Sequence, residues 1–122
     1  MKIDLGKNEL IHFVGIGGIG MSGLALIMNG LGYKVQGSDI ADNRNIERLN
    51  EKKKKVFLNH KKENIKKTTV LVISSAIKKN NPELVEAIKK NLPVYTRGDM
   101  LGHIVSFMRN VFLLYTSDAA DE

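Results

Sequence analysis

Short apolar runs alternate along the chain with segments whose apolar residues recur at helical spacing. Apolar or alternating runs that end at glycine or polar residues are typical of strands. Such runs occupy residues 10–14, 33–37, 55–58, 69–73 and 93–95. The run at 69–73 is β-branched and continuous, as expected of a central strand in a parallel sheet. The sequence therefore predicts five strands.

The first two helices are predicted between the first three strands. Apolar residues recur at helical spacing from Met21 to Leu31, and Gly32 supplies a stop signal. A more polar helix is predicted over residues 43–51, with Ile46 and Leu49 facing inwards.

Two further helices are predicted in the second half of the chain. Asn81-Pro82-Glu83 marks a helix start, because proline at the first helical position loses no hydrogen bond. Leu84, Ala87 and Ile88 are expected to face the core. Thr96 and Asp99 have the spacing of a capping box at the start of the last helix. Its apolar stripe is predicted at Met100, Leu101, Ile104, Val105 and Met108.

Strands that alternate with helices imply βαβ units. We therefore predict an α/β fold, a Rossmann-like parallel sheet of about five strands with helices on both faces. The 122 residues suit one domain, and the absence of cysteine excludes disulfides and thiolate metal sites.

The composition predicts a cytoplasmic protein that binds neither membrane nor nucleic acid. No signal peptide opens the chain, and no stretch reaches the roughly 18 apolar residues of a membrane span. The net charge is +6, but the lysines lie between apolar segments and are not interleaved with arginines and aromatics as at a nucleic-acid surface. A basic field still favours a phosphate-bearing ligand.

A glycine-rich motif connects the first strand to the first helix. Gly15, Gly17 and Gly20 satisfy G-x-G-x-x-G, in which glycines permit a tight turn, close approach of a pyrophosphate and close packing of the helix. The helix N-terminus then offers unpaired N–H groups to phosphates. Asp39 ends the second strand, 19 residues after Gly20, where an acid can bond ribose hydroxyls. The motif predicts a diphosphate ligand but leaves NAD, FAD and UDP-sugars open.

Residues 12–23, HFVGIGGIGMSG, closely resemble the opening of the Mur ligase family, in particular of its UDP-N-acetylmuramate–L-alanine ligases. The resemblance covers residues 11–109. Departures are Asn59, where the family has glycine, and Gly98-Asp99, where it has alanine and glutamate. Further matches follow in order at Gly32-Tyr33, Gly37-Ser38-Asp39, the spacing of His60 and Asn64, Ser74-Ser75-Ala76-Ile77, Asn81-Pro82-Glu83, Pro93-Val94 and Met100-Leu101.

The resemblance implies that residues 1–110 are a UDP-sugar-binding domain whose ligand is UDP-N-acetylmuramate. Ser38 and Asp39 would lie by the ribose, and His60 with the loop Ser74-Ser75-Ala76-Ile77 would border the uracil. His60 as a surface residue and the two serines as strand-end caps remain alternatives. No catalytic residue and no metal ligand is expected in this chain. Backbone N–H groups would wrap the diphosphate at Gly15, Ile16, Gly17, Gly18, Ile19, Gly20, Met21 and Ser22.

In the family, ATP and Mg²⁺ activate the sugar carboxylate, and L-alanine attacks the acyl phosphate. No G-x-x-x-x-G-K-[ST] loop occurs in this chain, so ATP and L-alanine are expected to bind through other domains, and the chain is expected to be inactive alone. Residues 111–122 would be the start of a truncated central domain, replaced over 113–122 by a tail that reads like a translated sequencing adapter. Two alternatives stay open: an NAD-binding domain of an oxidoreductase or regulator, and a Mur ligase that recycles murein tripeptide.

Overall fold

The structure, a computed structural model, describes residues 3–40, 46, 47, 49 and 55–120. All five predicted strands form within a residue or two of their predicted bounds. The predicted helix over residues 43–51 lies largely outside the described residues, but Ile46 and Leu49 are buried as expected. The elements are β1 (Leu10–Val14), α1 (Ile19–Gly30), β2 (Lys34–Asp39), β3 (Lys55–Leu58), the 3₁₀ helix η1 (Lys62–Ile65), β4 (Val70–Ile73), α2 (Pro82–Lys89), β5 (Val94–Thr96) and α3 (Arg97–Ala120).

The five strands form one parallel sheet in the order β3-β2-β1-β4-β5. The middle strand is β1, whose last residue, Val14, pairs with Ser38 of β2 and Ile73 of β4. The chain passes from β1 to β2 and β3 on one side and then returns to β4 on the other side of β1. The loops after β1 and β4 therefore diverge and open a crevice at the carboxyl ends of these two strands. The prediction of a Rossmann-like parallel sheet is confirmed.

Alternate residues of β1 enter two different cores. Ile11 and Phe13 point to the face covered by α1 and α3, while Val14 points to the face covered by α2 and η1. Helices therefore lie on both faces, as predicted. The first core contains Ile3, Ile11, Phe13, Ile16, Met21, Leu24, Ala25, Met28, Tyr33, Val35, Leu49, Val70, Val72, Met100 and Ile104; the second contains Val14, Ile65, Leu71, Leu84 and Ala87.

Helix ends follow the predicted signals. At the end of α1, Gly32 adopts a φ of +99°, which permits the chain to turn back into β2. The Asn81 side chain caps α2 by accepting hydrogen bonds from the N–H groups of Glu83 and Leu84. Thr96 and Asp99 form the predicted reciprocal capping box, with N···O distances of 3.2 and 3.0 Å.

Two predicted apolar faces are only partly buried. Ile88 is 61% exposed, because it lies roughly a quarter turn around α2 from the inward face formed by Leu84 and Ala87. In α3, Met100 and Ile104 pack on the sheet. Leu101 and Val105 lie about 100° around the helix from the buried Met100 and Ile104 and are exposed, and Met108 is exposed as well.

Candidate functional site

A cleft of about 510 Å³ opens at the carboxyl edge of the sheet. Loops that follow β1, β2, β3 and β4 all contribute to it, together with the start of α2. This is the edge at which open α/β sheets bind ligands. The lining residues are Gly15, Gly18, Asp39, Ile40, His60, Ser74, Ala76, Ile77, Lys78, Asn80, Asn81 and Pro82.

The glycine-rich turn is a strand-to-helix bend, as predicted. Gly15 adopts a φ of +83°, which favours glycine, and a Cβ there would lie 3.2 Å from Ser74 Oγ. The N–H groups of Gly15 and Ile16 both donate to the Ser38 carbonyl, at 2.8 and 3.0 Å. The register that pairs Val14 with Ser38 therefore fixes where the turn begins.

Several amides of this turn are already bonded within the protein. Gly17 N–H donates to Asp39 Oδ2 at 2.8 Å, and Gly18 N–H donates to the Gly15 carbonyl at 3.1 Å. Ser22 N–H donates to the Gly18 carbonyl at 3.0 Å within the first turn of the helix. So tight a turn uses several of its own donors, and the contact of residues 15–22 with a diphosphate stays a prediction.

The amides of Ile19, Gly20 and Met21 remain available. They belong to the first turn of α1, where a helix has no internal acceptor for its N–H groups, and no described residue accepts from them. These amides and the positive end of the helix dipole form an anion-binding position. Any phosphate contact is thus expected at the helix start and not along the whole turn.

Arg97 lies against this helix start. A Cβ at Gly20 would be 2.9 Å from Arg97 Cδ and 3.2 Å from its Nε and Nη1 atoms. The absence of a side chain at Gly20 therefore permits Arg97 to approach the start of α1, in addition to any role of this glycine in helix–strand packing. Arg97 was not among the residues predicted from the sequence, although its position directly after the last strand of a parallel sheet is a signal that could have identified it.

A buried polar group, which we call the Glu83 cluster, lies behind the cleft; it consists of His12, Gln36, Ser38, His60, Asn64 and Glu83. Glu83 Oε1 accepts from Ser38 Oγ at 2.6 Å and lies 2.8 Å from His12 Nε2. Glu83 Oε2 accepts from Asn64 Nδ2 at 2.7 Å and from the Lys61 N–H at 3.2 Å. His12 is therefore a structural strand residue.

These bonds decide the charge of Glu83. Burial by itself raises the pKa of the carboxyl, but hydrogen bonds from His12, Ser38 and Asn64 outweigh it. The pKa of Glu83 consequently lies below its ordinary value of 4.5. Within the described residues, no buried side-chain nitrogen or oxygen lacks a partner.

The structure brings together only some of the predicted site residues. Ser38 is fully buried behind the cleft, while Ser75 is exposed outside its lining. Ile16 and Met21 belong to the core, and Ile19 is 91% exposed. The predicted residues that line the cleft are Gly15, Gly18, Asp39, His60, Ser74, Ala76 and Ile77.

Other residues of the cleft were not predicted as site residues. Asn81 and Pro82 were interpreted from the sequence as a helix start and as part of the family resemblance, and the same positions line the cleft. Ile40 and Asn80 have no motif that marks them, and Lys78 belongs to a lysine pair interpreted as solvated surface. Lys78 adds a cation to the cleft.

The residues present do not fit ATP and Mg²⁺. No Gly-Lys-Thr or Gly-Lys-Ser phosphate loop occurs in the sequence. In the described part of the chain, no group of three histidine, aspartate or glutamate side chains is arranged to hold a metal ion. A search of the same residues finds no helix with the length and apolarity needed to cross a membrane.

Comparison with known proteins identifies the family. The sequence profile described as "Mur ligase family, catalytic domain" matches residues 10–109. The chain belongs to the Mur ligase family. Two similar relatives are UDP-N-acetylmuramate–L-alanine ligases from Pelagibacter ubique and Brucella ovis, which are 63% and 54% identical over 111 residues, or 91% of this chain.

Solved structures of Mur ligase relatives share the fold. UDP-N-acetylmuramate-alanine ligase from Thermotoga maritima matches 82% of this chain and 23% of its own, with a TM-score of 0.73 and 32% identity. The Neisseria meningitides UDP-N-acetylmuramate:L-alanyl-gamma-D-glutamyl-meso-diaminopimelate ligase matches 73% of this chain and 28% of its own, with a TM-score of 0.66 and 28% identity. This Mur ligase chain spans about a quarter of the Pelagibacter and Brucella relatives, 24% and 23% of their lengths.

Proposed function

We propose that this chain is the UDP-N-acetylmuramate-binding part of a UDP-N-acetylmuramate–L-alanine ligase. The observation that carries the proposal is the cleft, where the loops after four parallel strands place Gly15, Asp39, His60 and Ser74 around one space. The names of the relatives supply the substrate, and the high identity over this region supports its transfer.

The anionic part of the ligand is proposed to bind at the start of α1. The free amides of Ile19, Gly20 and Met21 and the guanidinium of Arg97 together offer hydrogen bonds and positive charge to a diphosphate. Lys78 in the cleft adds to the attraction.

The nucleoside is proposed to occupy the rest of the cleft. Asp39 follows β2, where an acid can bond a ribose hydroxyl, and its Oδ2 already accepts from Gly17 N–H. Its carboxylate accepts more than one hydrogen bond, so it can hold the turn and a ribose together. Ile40, Ile77 and Pro82 provide apolar surface for a flat base.

The remaining chemistry is proposed to belong to parts of such an enzyme that this chain does not match. Sites for ATP and Mg²⁺ are expected there, because the residues described here do not fit them. The site for L-alanine is expected there as well, as the family resemblance implies. The domain boundary at residue 110, the origin of residues 113–122 and a cytoplasmic location stay predictions.

One observation favours the alternative that this chain belongs to a Mur ligase that attaches a tripeptide instead of L-alanine. The Neisseria ligase, whose name includes a tripeptide, shares this fold at a TM-score of 0.66. Both ligases are named for the same sugar nucleotide, so this cleft does not distinguish the amino acid from the tripeptide. The named relatives of higher identity favour L-alanine.

Calorimetric titration of the 122-residue chain tests the proposal. UDP-N-acetylmuramate and UDP are expected to bind at the same site and to compete, while NAD binds more weakly or not at all. A His60→Gln variant is expected to bind UDP less well, and Glu86→Gln, on the outer part of α2, serves as a matched control. Binding of NAD in preference to UDP-N-acetylmuramate would overturn the proposal in favour of a dinucleotide-binding domain.

A further inference from the structure

The Glu83 carboxylate accepts hydrogen bonds on all sides. Its side chain is fully buried, and its two oxygens face donors on His12, Ser38, Asn64 and the Lys61 backbone. An ionised carboxylate offers about four lone-pair sites, and four donors fill them. Glu83 is therefore ionised in this arrangement and acts only as an acceptor.

The direction of the next hydrogen bond follows from this. Ser38 has one hydroxyl hydrogen, and at 2.6 Å from Glu83 Oε1 that hydrogen must point to the carboxylate. Ser38 Oγ also lies 2.8 Å from His60 Nδ1. The hydroxyl can only accept there, so His60 Nδ1 carries a hydrogen.

The other ring nitrogen of His60, Nε2, has no hydrogen-bond partner among the described residues and faces the cleft. In a neutral imidazole with its hydrogen on Nδ1, Nε2 has a free lone pair and is an acceptor. No described residue bonds His60 Nε2, and no buried side-chain nitrogen in the described ranges lacks a partner. Nε2 therefore belongs to the exposed 12% of the side chain, at the cleft that His60 lines.

His12 has the opposite tautomer by the same reasoning. Gln36 Nε2 faces the Asn64 carbonyl at 2.9 Å, which fixes the amide with its NH₂ group on this side. Its second hydrogen points to His12 Nδ1 at 2.8 Å, which is nearer than Thr68 Oγ1 at 3.3 Å, so the hydrogen of His12 lies on Nε2 and points to Glu83. One carboxylate thus holds two histidines in opposite tautomers.

We propose that Glu83, through Ser38, is a positioning residue that holds His60 Nε2 as a hydrogen-bond acceptor for an N–H donor on the ligand base. This inference rests on the proposed binding of a uridine nucleotide. Uracil presents an imide N–H where cytosine has an unprotonated nitrogen, so the acceptor distinguishes the two bases. A site arranged to bond a ligand N–H rejects an analogue without it, because the acceptor is left unpaired.

Ring-nitrogen NMR of the ¹⁵N-labelled 122-residue chain tests the tautomers directly. At about pH 8, His60 is expected to show Nδ1–H and His12 Nε2–H. Ser38→Ala is expected to release His60 to a mixture of tautomers, whereas Ser106→Ala, an exposed serine of α3, leaves both rings unchanged. A wild-type spectrum with the His60 hydrogen on Nε2 would overturn the proposal, even if the Ser38 variant does not fold.

Base discrimination is measured separately with UDP and CDP, which share ribose and diphosphate. The wild-type chain and Ser106→Ala are expected to bind UDP about tenfold more tightly than CDP, and Ser38→Ala to lose most of this ratio. Equal binding of UDP and CDP by the wild type would overturn base recognition by His60 and leave UDP-sugar binding intact. If neither nucleotide nor UDP-N-acetylmuramate binds, the proposed function fails, and the base-reading role fails with it.

Discussion

The two faces of the sheet differ in the residues that they bury. The face under α1 and α3 buries a continuous apolar core that includes Phe13, Met21 and Met28. The face under α2 and η1 has a smaller apolar core, and the buried Glu83 cluster occupies the rest of it. The adjacent residues His12 and Phe13 of β1 point to opposite faces, His12 into the Glu83 cluster and Phe13 into the apolar core.

The two faces contribute differently: the apolar face mainly stabilises the fold, and the polar face mainly positions side chains near the cleft. Apolar burial is non-directional and contributes in proportion to area, so the α1 face can hold the sheet together without fixing any one polar atom. Hydrogen bonds to a buried carboxylate are directional, and each unpaired group there is costly. The α2 face therefore fixes the position and orientation of Ser38 and His60 at the cleft.

The largest expected effect is on the apolar face. Phe13 is completely buried in the core under α1, so Phe13→Ala is expected to lower the free energy of unfolding by about 3–5 kcal/mol. Urea unfolding followed by circular dichroism measures the loss. Phe112→Ala is the matched control, because Phe112 is 64% exposed and its truncation should cost less than about 0.5 kcal/mol. Similar losses in both variants would refute the assigned core.

A smaller effect, with a characteristic pH dependence, is expected on the polar face. Glu83→Gln is expected to cost about 1–3 kcal/mol near pH 7, because an amide cannot accept from every donor around it. Glu86→Gln on the same helix should cost little.

The sign of the pH dependence follows from the lowered pKa of Glu83. A carboxyl with a folded-state pKa below its ordinary value stabilises the fold fully above that value, and the contribution is lost as pH falls through the folded-state pKa. The gap between wild type and Glu83→Gln should therefore be constant from neutral pH to about 4.5 and close below it. A gap that widens on acidification would show that Glu83 is not ionised in the fold.

Helix caps give a third comparison between the faces. Asn81 is 8% exposed and caps α2 on the polar face, whereas the Thr96 cap of α3 is exposed. Asn81→Ala is expected to cost about 1 kcal/mol, and Thr96→Ala about half of that, since water can replace the exposed bond. Urea midpoints check both, and a larger loss in Thr96→Ala would contradict the ranking.

Local patterns predicted the strands, the bend at Gly15 and the caps because these depend on neighbouring residues. The partners of the turn could not be predicted in this way. The Ser38 carbonyl reaches Gly15 only through the register of β1 with β2, and Glu83 meets donors from three separate segments, β1, β2 and η1 with its cap. Periodicity likewise predicted an apolar face for α3 but not which of its residues are buried, because burial depends on the elements packed against the helix.

The smallest expected effect on stability tests whether the apolar face also serves the ligand. Packing of α1 beside α3 brings Gly20 and Arg97 together, so Gly20→Ala forces the flexible Arg97 side chain away from the free amides. Alanine is a good helix former, and the free energy of unfolding should change by less than about 0.5 kcal/mol. UDP binding is nevertheless expected to weaken by about three- to tenfold, because a charge-assisted contact is lost.

Gly23→Ala is the matched control, since a Cβ at Gly23 of the same helix meets nothing within 4 Å. Calorimetry should show UDP binding unchanged in Gly23→Ala and weakened equally in Gly20→Ala and Arg97→Ala. If Gly20→Ala binds UDP as the wild type does, Arg97 makes no contribution to the anion site. Recognition would then belong to the helix amides and the polar face alone, and the separation of the two faces would be complete.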